Sequence, residues 1–196
     1  MKAKTKKVLL TLCCAFALVA VTIVGTVAYL TDKETVTNTF TVGNVAITLD
    51  EADVNTDGTV IAGAERVKAN EYHLLPGHTY TKDPIVHVTT GSEACWLFVK
   101  VENGISAIED SSNTIADQMA ANGWTLVDGT TNIYARATTN QAGENVVVFE
   151  NFKISGTADA AAYKDAKDAN ITVTAYAVQA DGFTSAADAW KAANFQ

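Results

Sequence analysis

The sequence predicts an antiparallel β-sandwich carried to the cell exterior behind an N-terminal leader. Three observations carry that expectation. Apolar residues recur with period two in about seven short runs. Clusters of Gly, Asn, Asp, Ser and Thr separate those runs, as turns do between strands. Ahead of them, four lysines precede a stretch of 23 residues, Val8 to Leu30, without one charge.

The leader comes first. Lys2, Lys4, Lys6 and Lys7 form a positive n-region, and the apolar run ends in small residues at Gly25, Thr26 and Ala28. Thr26-Val27-Ala28 then offers a small-x-small site for signal peptidase, which would cut between Ala28 and Tyr29. At about 1.5 Å per residue the run is also long enough to span a bilayer, so retention as a transmembrane anchor stays open. Both readings keep the lysines inside and export everything after Tyr29. Cys13 follows Leu12, where a lipoprotein signal would need a small residue, so Cys13 and Cys14 read as apolar members of the leader. Cys95 is then the only thiol of a cleaved body, and no intrachain disulfide is expected.

The strands follow in order. Val45, Ile47 and Leu49 alternate with Ala46 and Thr48. Ile85 to Val88 runs into the turn Thr90-Gly91-Ser92-Glu93, and Ala94 to Val101 resumes the alternation. There Cys95, Leu97, Val99 and Val101 share one face, and Trp96 and Phe98 the other. Trp124 to Val127 and Ile133 to Ala137 flank Asp128-Gly129-Thr130-Thr131-Asn132 and read as a hairpin. Val146 to Ile154 and Ile171 to Gln179 are two further β-rich runs. Helices are brief excursions: Thr114 to Ala121 ended by Gly123, and Ser185 to Ala193 behind an N-cap. Ala158 to Ala169 reads equally as a helix or a loop. The chain divides into residues 1–28 as signal peptide, 29–43 as an extended segment and 44–196 as the sandwich.

Charge separates the same parts. The whole chain of 196 residues carries a formal net charge of −8. Without the four leader lysines, ten basic groups face 22 acidic ones, a net of −12. An acidic body argues against nucleic-acid binding, which needs clustered Lys and Arg. Membrane contact is expected through the leader alone.

Gly25-Thr26-Val27-Ala28-Tyr29-Leu30-Thr31-Asp32, then Asn38-Thr39-Phe40-Thr41-Val42-Gly43, resembles the SipW-type signal peptide and mature start of the TasA/camelysin family of exported Gram-positive proteins. Leu30 departs from that pattern, standing where an aromatic is common. Leu75-Pro76-Gly77 followed by Thr81-Lys82-Asp83 resembles the segment with which the family enters a strand, and Ala175 to Gln179 and Ala189-Trp190 are also similar to family members. The resemblance implies a jelly-roll-like sandwich that self-associates into fibres of a cell-surface or biofilm matrix. In such fibres the mature N-terminal segment of one subunit adds a strand to the next. Tyr29 to Phe40 is rich in Thr and Val and free of Pro and Gly. It is the candidate donor strand, with Tyr29, Val36 and Phe40 among its side chains and Val36 and Phe40 as pocket fillers.

The alternatives use other residues. Camelysin is described as a metallopeptidase, so the resemblance brings zinc into question. His73, His78 and His87 are the candidate ligands, with Glu71 or Asp83 as a further one, although no His-Glu-x-x-His pair exists. Asp53-Val54-Asn55-Thr56-Asp57-Gly58 matches the first half of a calcium loop, with Asp53, Asn55 and Asp57 as weak ligands. Its twelfth position is Ala64 where the bidentate Glu belongs, and such clusters also form ordinary turns. Trp96, Phe98, Trp124 and Tyr176 would serve an adhesion or carbohydrate-binding module if they lined one exposed face, while strand aromatics commonly belong to a core. Cys95, set among Ala94, Trp96 and Leu97, reads as an inert core thiol. No other cofactor and no catalytic residue is expected.

Overall fold

The structure, a computed structural model, describes residues 43–195 apart from Lys167. The leader, the Ala28–Tyr29 cleavage site and the candidate donor strand with Val36 and Phe40 lie outside the described residues. Strands dominate. A three-stranded antiparallel sheet joins β1 (Ile47–Asp50), β3 (Ile85–Val88) and β7 (Asn145–Val147) in the order β1-β3-β7. Beside it, β2 (Thr79–Thr81) pairs with β8 (Asn151–Lys153). A four-stranded antiparallel sheet has the order β5-β6-β4-β9, from β5 (Trp124–Leu126), β6 (Ile133–Arg136), β4 (Cys95–Asn103) and β9 (Ile171–Gln179). Three short helices, α1 (Ile115–Ala121), α2 (Ala160–Asp165) and α3 (Ala186–Ala193), complete the described elements.

Alternation along β4 builds two cores. Cys95, Leu97, Val99 and Val101 point inward and pack with Val86 and Val88 of β3, Tyr80 of β2, Val146 of β7 and Phe152 of β8. One apolar interior is therefore shared by both layers, as an antiparallel sandwich pattern demands. Fully burying one of these aliphatic side chains contributes about 2 kcal/mol. Trp96 and Phe98, on the opposite face, join Ile133, Ala135 and Val127, and α3 covers them with Ala189 and Trp190. A sheet with apolar residues on both faces needs a second cover, and α3 supplies it.

Helix boundaries follow local chemistry. Thr114 caps α1 by accepting from the Asp117 amide, while the Asp117 carboxylate accepts from the Thr114 amide. Gly123, at φ +78°, then turns the chain into β5. Ser185 caps α3 by accepting from the Asp188 amide while its hydroxyl donates to the Asp188 carboxylate, and Asp159 caps α2. The ambiguous segment after Ala158 thus contains a helix of six residues.

The run from Val146 to Ile154 departs from the sequence reading, which has it as one strand. It divides into β7 and β8, which belong to different sheets. At the crossing Phe149 is fully buried. The Gln118 side chain of α1 accepts from the amides of Glu150 and Asn151, satisfying backbone groups that leave the ladder. Among the described residues no helix is long and apolar enough to cross a membrane.

Candidate functional site

Two polar networks converge where β1 ends, on opposite faces of one strand. Ile47 and Leu49 pack on the interior, so period two turns Glu51 inward and Asp50 outward. Glu51 is 4% exposed. A second alternation, Tyr80, Lys82, Pro84 and Val86, turns Lys82 inward on the segment leaving β2. The Lys82 ammonium donates to Glu51 Oε2 at 2.5 Å, with side-chain exposures of 10% and 6%. Glu51 Oε1 accepts from the Asn70 amide nitrogen at 2.9 Å. That nitrogen also donates to the Ala52 carbonyl at 2.8 Å, while Asn70 Oδ1 accepts from the Val54 amide at 3.0 Å. Every partner of Asn70 is a pure donor or a pure acceptor, which dictates the orientation of its side-chain amide.

Asn70 lies on a strap, residues 66 to 78, held against the interior by few but specific bonds. The Tyr72 hydroxyl donates to the Thr81 carbonyl at 2.9 Å, and the buried Tyr80 hydroxyl donates to His73 O at 2.7 Å. Gly58 sits beneath it at φ +82°, where a Cβ would come within 2.7 Å of Tyr80 Cα. Left-handed backbone and lack of space both require glycine there. Between strap and α2 lies a cleft of about 850 Å³, lined by Asn70, Tyr72, Lys82, Phe152 and Tyr163 among others. Burial raises the Tyr72 hydroxyl far above its ordinary range, and the Glu51 and Asp83 charges add to that.

On the outer face, Arg66 joins both acids that flank the buried pair. Its guanidinium bonds the Asp50 carboxylate and reaches Asp83 Oδ2 at 2.9 Å and the Asp83 carbonyl at 2.8 Å. His87 of β3 places Nε2 at 2.9 Å from Asp50 Oδ1 and Nδ1 at 2.6 Å from Asn145 Oδ1 of β7. With oxygen acceptors on both ring nitrogens, the imidazolium is the form that satisfies both contacts. Burial acts to lower His87, but the hydrogen bonds to Asp50 and Asn145 and the Asp50 charge outweigh it, so the ring titrates above its ordinary 6.5. Burial likewise acts to raise Asp50, and Arg66 and His87 outweigh it, holding the carboxyl below 3.8.

The residues expected from sequence are placed as follows. Asp53, Asn55 and Asp57 lie on a turn that closes on itself. Asp57 Oδ1 accepts from the Thr59 amide and hydroxyl at 3.0 and 2.7 Å, and the Asn55 side chain donates to the Thr59 hydroxyl at 3.0 Å. The three histidines have separate partners: His73 binds Thr56 O through its amide, His78 meets Asp57 O at 2.9 Å, and His87 serves the outer network. Glu71 lines the cleft and Asp83 is engaged by Arg66. Among the described residues no group of three or more His, Cys, Asp or Glu is placed to hold a metal ion. Trp96, Phe98 and Trp124 are buried, and Tyr176 packs on Trp190 and Phe195. Burial and Glu144 push the Cys95 thiol up to about 11, the behaviour of an inert core thiol.

Sequence reasoning missed Glu51, Asn70 and Arg66, met Lys82 only through a resemblance, and met Asp83 through that resemblance and as a further zinc ligand. A signal existed for Glu51 and Lys82. Continuing the inward positions 47 and 49 by one step lands an acid on the apolar face, and continuing back from Val88 and Val86 lands a lysine there. Comparison with known proteins finds no matching family model, no matching curated protein and no matching solved structure.

Proposed function

We propose that the chain is an exported, non-enzymatic structural protein of a cell surface or biofilm matrix, a jelly-roll-like sandwich that self-associates through its sheet edges. The observation that carries this reading is β9. It is nine residues long, holds no charge and no proline, and pairs only with β4 among the described residues. Edges of that kind are normally blunted by charge, proline or brevity, because their free N–H and C=O groups recruit another strand. The Tyr29–Phe40 segment, similar in sequence to the TasA/camelysin pattern, would supply the strand to be recruited.

Electron microscopy of residues 29–196 beside residues 41–196 tests the proposal. The longer chain is expected to form fibres, and the shorter one to remain monomeric with the same circular dichroism. If neither polymerises at any pH or salt concentration, the fibre reading fails. Chelator-sensitive casein cleavage, lost on replacing His78 or His87, would instead carry a metallopeptidase reading. Glycan binding by a stable monomer would carry an adhesin.

A further inference from the structure

Glu51, Lys82 and Asn70 hold the parts of an amide-forming centre. We propose that Lys82 and Asn70 condense spontaneously into an intramolecular isopeptide bond, with Glu51 as the proton carrier. The inference is independent of whether the chain polymerises.

Each part has a position. Lys82 is a buried primary amine whose single side-chain hydrogen-bond partner among the described residues is Glu51. An ammonium has three donors, so this one is under-satisfied in a place where charge is costly. The same carboxylate holds nucleophile and leaving group, one oxygen on Lys82 Nζ and the other on Asn70 Nδ2. The amide carbonyl to be attacked already accepts from the Val54 N–H at 3.0 Å, a donor placed to stabilise the oxyanion. Tyr72 and Phe152 line the same cleft as Lys82 and Asn70, and with Tyr80 they pack edge-on or stacked at ring separations of 5.0 to 5.8 Å. Apolar rings on that side strengthen the electrostatics of proton transfer within the triad.

The chemistry balances without a co-reactant. Glu51 takes a proton from the Lys82 ammonium through Oε2, and the freed amine attacks Asn70 Cγ. Negative charge develops on Oδ1 against the Val54 N–H. Glu51 returns its proton through Oε1 to Nδ2, the Cγ–Nδ2 bond breaks, and ammonia departs by way of the cleft that Asn70 and Lys82 line. The second Nζ proton passes to Glu51, so ammonia leaves neutral and Glu51 ends as a neutral carboxyl beside the new amide. A buried ion pair is replaced by a neutral amide, and the strap carrying the Leu75-Pro76-Gly77 turn is locked covalently to the segment leaving β2.

Tryptic peptide mapping of the full chain, held folded at neutral pH before denaturation and digestion, tests this. The expected result is loss of cleavage after Lys82 and a peptide Ala69–Lys100 lighter by one ammonia, with no fragment ions from breaks between Asn70 and Lys82. Glu51→Gln is expected to abolish the product. Because that variant disturbs a buried pair, Asn70→Asp provides a second arm. It is expected to give the same cross-linked peptide by losing water, which a purely structural contact would not do. Unmodified Ala69–Lys82 from a chain that melts cooperatively overturns the proposal and leaves a salt bridge only. A peptide joining Lys82 to Glu51 with loss of water also overturns it, since Asn70 would then not be the electrophile.

Discussion

His87 is the residue at which proton uptake and sheet pairing are most directly linked. It sits on β3 and contacts Asp50 of β1 and Asn145 of β7, so one ring spans the three-stranded sheet. Its folded-state pKa is raised above the ordinary 6.5. The stability it contributes is therefore complete below 6.5 and is lost as pH rises through the raised value. Asp50 works in the opposite sense. Its carboxyl is depressed below 3.8, so its contribution is present above 3.8 and lost as pH falls through the lower value. The contact is strongest between those limits. Thermal melts should show a stability decline as pH rises above 6.5, through the raised value, of no more than about 1 kcal/mol, since both groups are about one-quarter exposed. His87→Gln should flatten that decline; an unchanged pH profile would mean that the ring does not titrate against Asp50.

Among the elements, α3 has the clearest single task. It covers the outer face of β4, where Phe98 is fully buried against Trp190 at a ring separation of 5.0 Å. Tyr176 and Phe195 extend the cluster at 4.8 to 5.8 Å. Helix propensity cannot hold eight residues in place alone, so packing must. Trp190→Ala should destabilise the fold by about 2 kcal/mol, less than a fully buried tryptophan because the residue is only partly buried. It should also bring dye binding at the uncovered sheet before the main unfolding transition. A single cooperative melt with no early dye signal would show that the outer core does not depend on the helix. The division of Val146–Ile154 into β7 and β8 belongs to this scale as well. Its apolar content reads as one strand, and the break is set by Gln118 and Phe149, neither of which announces itself locally.

For the whole molecule, net charge would set the conditions of the proposed assembly. The body after Tyr29 carries −12, so identical subunits repel over a Debye length of about 10 Å at 0.1 M salt. Light scattering of residues 29–196 should show assembly accelerating with added salt and as pH falls toward the carboxylate range. Rates independent of both would count against edge-to-edge association of these acidic subunits.

Much of the architecture was legible because its determinants are local. Period two in β4 assigns Leu97 and Phe98 to opposite faces whatever else the chain does, and both cores follow that assignment. Thr114 with Asp117, and Ser185 with Asp188, mark helix starts within four residues. The hairpin of β5 and β6 needs only its turn. What local sequence could not supply is which distant groups meet. Glu51 and Lys82 are 31 residues apart, Asp50 and His87 are 37 apart, and Asn145 lies 58 from His87. Alternation decides the face on which a side chain lies, but only the pairing of strands and the path of the strap decide its partner. The sequence by itself determined a charge-free run from Val8 to Leu30, an acidic β-rich body and the inward positions of a buried acid and a buried amine. Tertiary structure alone decided that one carboxylate holds both the amine of Lys82 and the amide of Asn70. Those contacts depend on chain closure over tens of residues, which no local pattern encodes.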